Sequence, residues 1–520
     1  MSADQSPQPF PAEHSPGKKV ASSFFKNDLH GAHIHFTGIK GTGMAALVEI
    51  CAYRGARISG SDVAERFYTD EVLERLGIKP TLFAAAHISA DIDVLIYSSA
   101  YSPDTNPELI AARKAGIPML LYTEALGLVS ETAYSCGIAG VHGKTTTTGM
   151  CGLLLKALDL PAQVLAGSVI PAFGGCTLNM GRRFFVAETC EYRRHFMSFR
   201  PQKIILTSVE SDHQDYYPTY ESIRDAFVDY CLLLPHNGEL IYCADDKGAE
   251  EVVRIVQSKR ADIRLTPYGV NASGDYRIVF GNTGEGVQYF SLAAFDTDFC
   301  VTVPGKHIVL NGAAACALAV SLYAESSGET LSERNKALIA EKLQAGLSRF
   351  GGAKRRSETV ARCKAANGKD ILIVDDYAHH PTAIKTTIAG FRSFYPGYRI
   401  IVDFMSHTYT RTAALLDDFA SSFSDADEII LHKIYASARE HYDGSVSGKD
   451  LYEKVRARHD NVHYFEEVED ALSFALERLS EPSSPVLFMT MGAGDNWKLG
   501  KLIAEKLNAK IGGLRQSIFL

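Results

Sequence analysis

The sequence predicts an α/β protein of several units, and three observations carry that reading. The chain is 520 residues long; two glycine-rich turns each stand between an apolar strand and an apolar helix; and strands alternate with helix-length segments almost to the C-terminus. One ordinary domain takes roughly 100–200 residues, so several cores are required and three are expected. The first unit, 31–132, opens on His33–Thr37, turns through glycines, continues as a helical apolar pattern over 44–52 and has a further strand at Val94–Tyr97. The second unit, 133–350, repeats the order with a strand at 136–140, a helix over 145–158, and strands at 184–187, 203–207 and 239–244. The third, 351–520, has strands at 371–374, 399–403, 428–432 and 485–490. Residues 1–30, rich in Pro, Ser and Lys, are expected to form a flexible tail.

Composition narrows the function. With 46% hydrophobic and 22% charged residues the chain reads as an ordinary globular enzyme, and a net charge of -8 gives no footprint for nucleic acid. The 10 cysteines are scattered without a C-x-x-C pair, as expected of reduced core residues in a cytoplasmic protein. No apolar run has the form of a secretory signal, and none is expected to reach the roughly 18 residues of a membrane span.

Two loops carry the chemistry. Gly140-Val141-His142-Gly143-Lys144-Thr145-Thr146-Thr147 lies between strand and helix, where backbone N–H groups and the positive helix end can face phosphate. Lys144 supplies a point charge there and Thr145 a magnesium ligand. The full phosphate-loop spacing is not met, because Ile138 stands five residues before Gly143. The bland reading is a helix N-terminus capped by threonines. The other loop, with Gly41, Thr42, Gly43 and Ala46, fits a dinucleotide fingerprint, and Asp62 stands about 20 residues on, where a ribose-binding acid is expected. The pyrophosphate it would bind could belong to NAD or to a nucleotide sugar.

These loops fall into a longer succession. Gly38-Ile39-Lys40-Gly41-Thr42-Gly43-Met44, Ser59-Gly60-Ser61-Asp62, Ser98-Ser99-Ala100, the Gly140 loop, Asp212-His213, Pro304-Gly305-Lys306-His307 with Asn311, Asp375-Asp376-Tyr377-Ala378-His379-His380-Pro381-Thr382 and His407-Thr408-Tyr409-Thr410-Arg411-Thr412 follow in order. The succession resembles the Mur ligases, over residues of about 31 to 500. The resemblance implies a Rossmann-like N-terminal domain that binds a UDP-sugar, a central P-loop ATPase domain and a Rossmann-like C-terminal domain that closes over the nucleotide. It implies ATP-dependent amide formation through an acyl phosphate in peptidoglycan precursor synthesis. UDP-N-acetylmuramate and L-alanine are the expected substrates, and a member that adds a preformed peptide is the alternative.

Residue by residue, the resemblance assigns Thr145, Glu188 and His213 to Mg²⁺ or Mn²⁺, and Lys144, Glu188, His213 and Arg411 to catalysis. ATP falls to Gly140 through Thr146 with Asn311, Arg356 (or its neighbour Arg355) and Asp376. Gly41, Thr42, Gly43, Asp62 and Ser99 fall to the UDP-sugar, and His379, His407 and Arg411 to the amino acid. Two departures stand out: Arg193-Arg194 replace acidic or small residues, which puts the role of Glu191 in question, and Thr408 replaces an arginine. The expected state is a monomer or homodimer.

Overall fold

The computed structural model describes residues 20, 23–26, 28–284, 286–436, 442 and 444–516. Among the described residues three separate sheets form. The N-terminal one contains β1 (His33–Thr37), β2 (Arg57–Ser61), β3 (Val94–Tyr97) and β4 (Met119–Leu121), all parallel, in the order β2-β1-β3-β4. All five residues of β1 are buried, as expected of a strand covered on both faces.

The central sheet has ten strands. They are β5 (Tyr134–Ala139), β6 (Ala162–Ile170), β7 (Gly175–Asn179), β8 (Phe184–Glu188), β9 (Lys203–Leu206), β10 (Glu239–Cys243), β11 (Arg264–Gly269), β12 (Tyr276–Gly284), β13 (Val287–Leu292) and β14 (Asp298–Val301). Their order is β14-β13-β12-β11-β10-β9-β5-β8-β6-β7. The chain leaves β5 to one side for β6 and returns across it to β9, so the end of β5 is a switch point, the place where open α/β sheets hold ligands. Antiparallel pairing is confined to the margins, where β12, β13 and β14 extend one end and β7 pairs with β6 at the other. Along β12, β13 and β14 buried residues are interrupted by exposed or half-exposed ones, and without a continuous apolar run these strands escaped the sequence reading.

The C-terminal sheet joins β15 (Glu358–Lys364), β16 (Asp370–Asp376), β17 (Arg399–Phe404), β18 (Glu428–Leu431), β19 (Val462–Tyr464) and β20 (Val486–Met491) in the order β15-β16-β20-β17-β18-β19. Only β15 runs antiparallel.

Two expectations need correction. Part of the N-terminal tail is packed: Phe24–Lys26 forms a short helical turn, Phe25 is fully buried, and its carbonyl accepts from Arg54 Nη1 at 3.0 Å. An aromatic pair outweighs the polar composition around it, and residues 1–19 lie outside the described ones. Second, Lys306–Ser327 is long and apolar enough, by composition, to cross a membrane. It is instead a largely buried core helix, apolar all round because it is covered all round, as Ala313 through Ala315 and Leu318 show.

Candidate functional site

The turn after β5 is built around two glycines. Gly143 has φ +81° and caps the helix Lys144–Ala157, and a Cβ there would stand 2.5 Å from Asn311 Oδ1. Gly140 has φ +136°, and its Cβ would meet Thr207 Oγ1 at 2.0 Å. Only glycine permits such approaches. The loop is pinned from β9's far end, where Ser208 Oγ accepts from His142 N at 2.9 Å and Ser208 O accepts from Val141 N at 3.0 Å.

Lys144 curls back over this loop. Its Nζ donates to Gly140 O at 2.5 Å and to Glu191 Oε2 at 2.9 Å. Burial opposes the ammonium charge, but Glu191 and its neighbours outweigh burial and hold its pKa above the ordinary value. Glu191 is 2% exposed and also meets His213 Nε2 at 3.3 Å. Burial alone would raise its pKa; Lys144 and His213 more than offset that and bring it down to about 2. Glu191 is thus an ionised buried counter-charge between two of the expected catalytic residues, which answers the question the arginine departure raised. Those arginines stand in strained backbone: Arg193 (φ 51°) and Arg194 (φ 56°) are both left-handed, and Arg194 Nη2 bonds Asp229 Oδ2 at 2.6 Å.

Glu188 ends β8 beside the loop. Its Oε2 accepts from Thr145 Oγ1 at 2.8 Å and from Gly167 N at 2.7 Å. Thr145 and Glu188 therefore converge, while His213, also left-handed at φ 54°, points its Nε2 to Glu191.

The C-terminal sheet presents the ends of β16, β17 and β20 to the same place. Asp376 Oδ2 accepts from Ser357 N at 2.7 Å, and Asp376 Oδ1 accepts from Ala378 N at 2.8 Å. The two arginines before β15 both lie over Tyr377 but divide the work: Arg355 donates to Asp375 Oδ2 at 3.0 Å and Gly492 O at 2.8 Å, whereas Arg356 lines the cavity. Close approach of the two units has a backbone reason. A Cβ on Gly390, in the helix Pro381–Phe394, would sit 2.8 Å from Gly305 Cα of the central unit.

A cavity of about 300 Å³ lies between these parts, within the range of small-molecule sites. Gly143, Lys144, Thr145, Glu188, Asn311, Arg356 and Asp376 all line it, as do His142 and Thr146. His307, part of the Pro304–His307 motif but assigned no role, lines it too; burial brings its imidazole pKa down to about 4 and keeps it neutral.

Arg411 is 6% exposed and crosses between units. Its Nε and Nη2 both donate to Asp212 Oδ1, at 3.1 and 2.8 Å, and Nη1 faces His407 Nδ1 at 3.5 Å. Burial opposes the Asp212 charge, but Arg411 overcomes it and holds that carboxyl far below the usual range. His379 and His407 lie with ring centres 6.3 Å apart. Burial, reinforced by Arg411, brings the pKa of His407 down to about 4 and that of His379 well below normal, so both are neutral nitrogen donors or acceptors.

Three family models match in succession: "Mur ligase family, catalytic domain" over 33–134, "Mur ligase middle domain" over 138–319 and "Mur ligase, glutamate ligase domain" over 355–494. The chain belongs to the Mur ligase family. It is 50% identical over 478 residues to a UDP-N-acetylmuramate–L-alanine ligase of Treponema pallidum, covering 92% of this chain and 97% of that one. The enzyme of the same name from Borreliella burgdorferi is 37% identical over 475 residues, 90% of this chain and 97% of the other. Among solved structures, the fold is similar to a UDP-N-acetylmuramate–alanine ligase of Thermotoga maritima (TM-score 0.71, 23% identity, 92% and 99% coverage). It is also similar to a murein peptide ligase of Psychrobacter arcticus (TM-score 0.61, 22% identity, 92% and 99% coverage).

In this Mur ligase the N-terminal glycine loop is a braced turn. Asp62 does not point free: it accepts from Lys40 N at 2.7 Å, Val63 N at 2.8 Å and Tyr101 Oη at 2.9 Å. Gly43 admits Tyr122, whose ring would lie 2.7 Å from a Cβ; Thr42 Oγ1 meets Tyr68 Oη at 2.5 Å; Gly41 keeps an ordinary φ of -57°. Ser99 is exposed at the end of β3. These residues do not line the cavity around Lys144, but they border it: burial and then the charge of Glu188, in the cavity wall, raise the pKa of Tyr122, which packs on Gly43. Sequence reasoning passed over Asp212 as a partner and Glu210, and left the role of Glu191 in question; the signal for Glu191 was an acid three residues after Glu188, which pattern alone could not place.

Proposed function

We propose that this Mur ligase joins L-alanine to the carboxylate of UDP-N-acetylmuramate, converting ATP to ADP and phosphate, as a cytoplasmic step of peptidoglycan precursor synthesis. The observation that carries the reading is the 50% identity, over almost the whole chain, to a relative that bears this activity in its name. ATP phosphorylates the muramate carboxylate; the amino group of alanine then attacks the acyl phosphate carbon, and phosphate leaves as the amide forms.

The residues support that chemistry. Phosphoryl transfer is mostly charge compensation and alignment, and the ammonium of Lys144 together with the amides of Gly143 and the following helix turn provide both. The convergent oxygens of Thr145 and Glu188 suit a hard divalent cation, which would neutralise phosphate charge when bound. Asn311 packs against Gly143 in the cavity wall, where it can contact the nucleotide. Neutral His379 and His407, with the Nη1 side of Arg411, form the side of the cleft assigned to the amino acid; the guanidinium can meet its carboxylate while Asp212 holds the other edge. Phosphate release measured with a panel of UDP-sugars and acceptors tests the reading. Release with UDP-N-acetylmuramate and alanine is expected, and faster turnover with a tripeptide than with alanine would replace it with the peptide-adding reaction.

A further inference from the structure

Beside the cavity lies a second constellation, which joins His142 and Glu210 of the cavity wall to His380. His142 of the phosphate loop, Glu210 after β9 and His380 at the start of the C-terminal unit's helix Pro381–Phe394 each offer one ligand atom, all within 4.8 Å of one another. His142 Nε2 and Glu210 Oε1 are in ion-pair contact, and His380 Nδ1 lies 3.9 Å from the same oxygen. His380 is 5% exposed. Its Nδ1 has only a long contact, 3.4 Å, from Thr382 N, and its Nε2 is buried without a hydrogen-bond partner. A zinc ion sits roughly 2.0–2.2 Å from nitrogen and oxygen ligands, so at the tetrahedral angle its ligand atoms stand roughly 3.4 Å apart. Gathering the three atoms around one ion therefore takes side-chain movements of about 1 Å.

We propose that His142, Glu210 and His380 form a site for a transition-metal ion of the zinc class, and that its occupation pins the C-terminal unit onto the phosphate loop. Two imidazoles and one carboxylate select zinc or cobalt over magnesium, which prefers oxygen and keeps its waters. Three protein ligands leave a fourth position for water. Because His142 belongs to the phosphate loop, metal and ATP compete, so the ion acts as an inhibitory latch. That last step rests on the nucleotide reading above; metal binding itself does not.

The experiment is a titration of metal-free, nucleotide-free protein with Zn²⁺, and with Co²⁺ followed by its visible absorption. Wild type, Glu210→Gln, His380→Gln and Glu188→Gln are compared, each checked for folding by circular dichroism. One ion with the intense bands of low-coordinate cobalt is expected in wild type and Glu188→Gln, with affinity at least tenfold weaker in the other two. Glu210 is partly exposed, so Glu210→Gln keeps the test open should His380→Gln fail to fold. Equal affinity in wild type and Glu210→Gln, or loss of the bands in Glu188→Gln alone, overturns the site. If the site binds zinc but ATP does not displace it, the latch is refuted and the metal site stands.

Discussion

Replacing Glu191 by Gln keeps its shape and removes the one charge that lies between Lys144, at 2.9 Å, and His213, at 3.3 Å. Breaking a buried pair from one side leaves the other charge uncompensated and costs about 3–5 kcal/mol. The sign of the pH dependence follows from the depressed pKa. Glu191 is held at about 2, against an ordinary 4.5, so between these values the unfolded chain binds the proton and the folded one does not. Its contribution is complete above about pH 4.5 and disappears as pH falls through about 2. Urea unfolding of wild type and Glu191→Gln at pH 7 and at steps below 4.5 measures this. Far-UV circular dichroism is the probe, because the only tryptophan, Trp497, lies in the C-terminal unit. The variant should be less stable at pH 7, with a gap that narrows on acidification. Equal stability at pH 7, or a gap that does not change with pH, would refute the picture of Glu191 as an ionised counter-charge.

Three further outcomes follow from the site. Lys144→Ala should lower turnover roughly 100-fold or more, in line with loss of one electrostatic contact to a transition state. It should also melt lower, because Glu191 is left buried with His213 as its remaining partner; steady-state kinetics with a thermal melt checks both. Glu188→Gln should raise the Mg²⁺ concentration for half-maximal activity about tenfold, because a charged oxygen is lost from the Thr145 pair, while UDP-sugar affinity stays put; titration of activity against Mg²⁺ decides it. Arg411→Lys keeps the charge and loses the fork that grips Asp212, so KM for alanine should rise about tenfold, near the ~1.5 kcal/mol of one charged hydrogen bond, with KM for ATP unchanged.

The sequence by itself determined the local units. Apolar runs meeting glycine turns specified β1 and β5 with their helices, because periodicity and the left-handed backbone of Gly143 act over a few residues. The order of motifs placed Lys144, Thr145 and Asn311 around one loop, and the folded chain brings them together. Other features were beyond local reading. The sequence left Glu191 an odd acid among arginines; it becomes the shared counter-charge only when β8 and the segment after β9 pack side by side. Arg411 and Asp212 are 199 residues apart, and each could have paired within its own unit. His142, Glu210 and His380 gather only because Gly390 and Gly305 let two separately built sheets meet at backbone distance. Pairing across units depends on how finished surfaces dock, and that fit is a property of packed layers, which no window of neighbouring residues encodes.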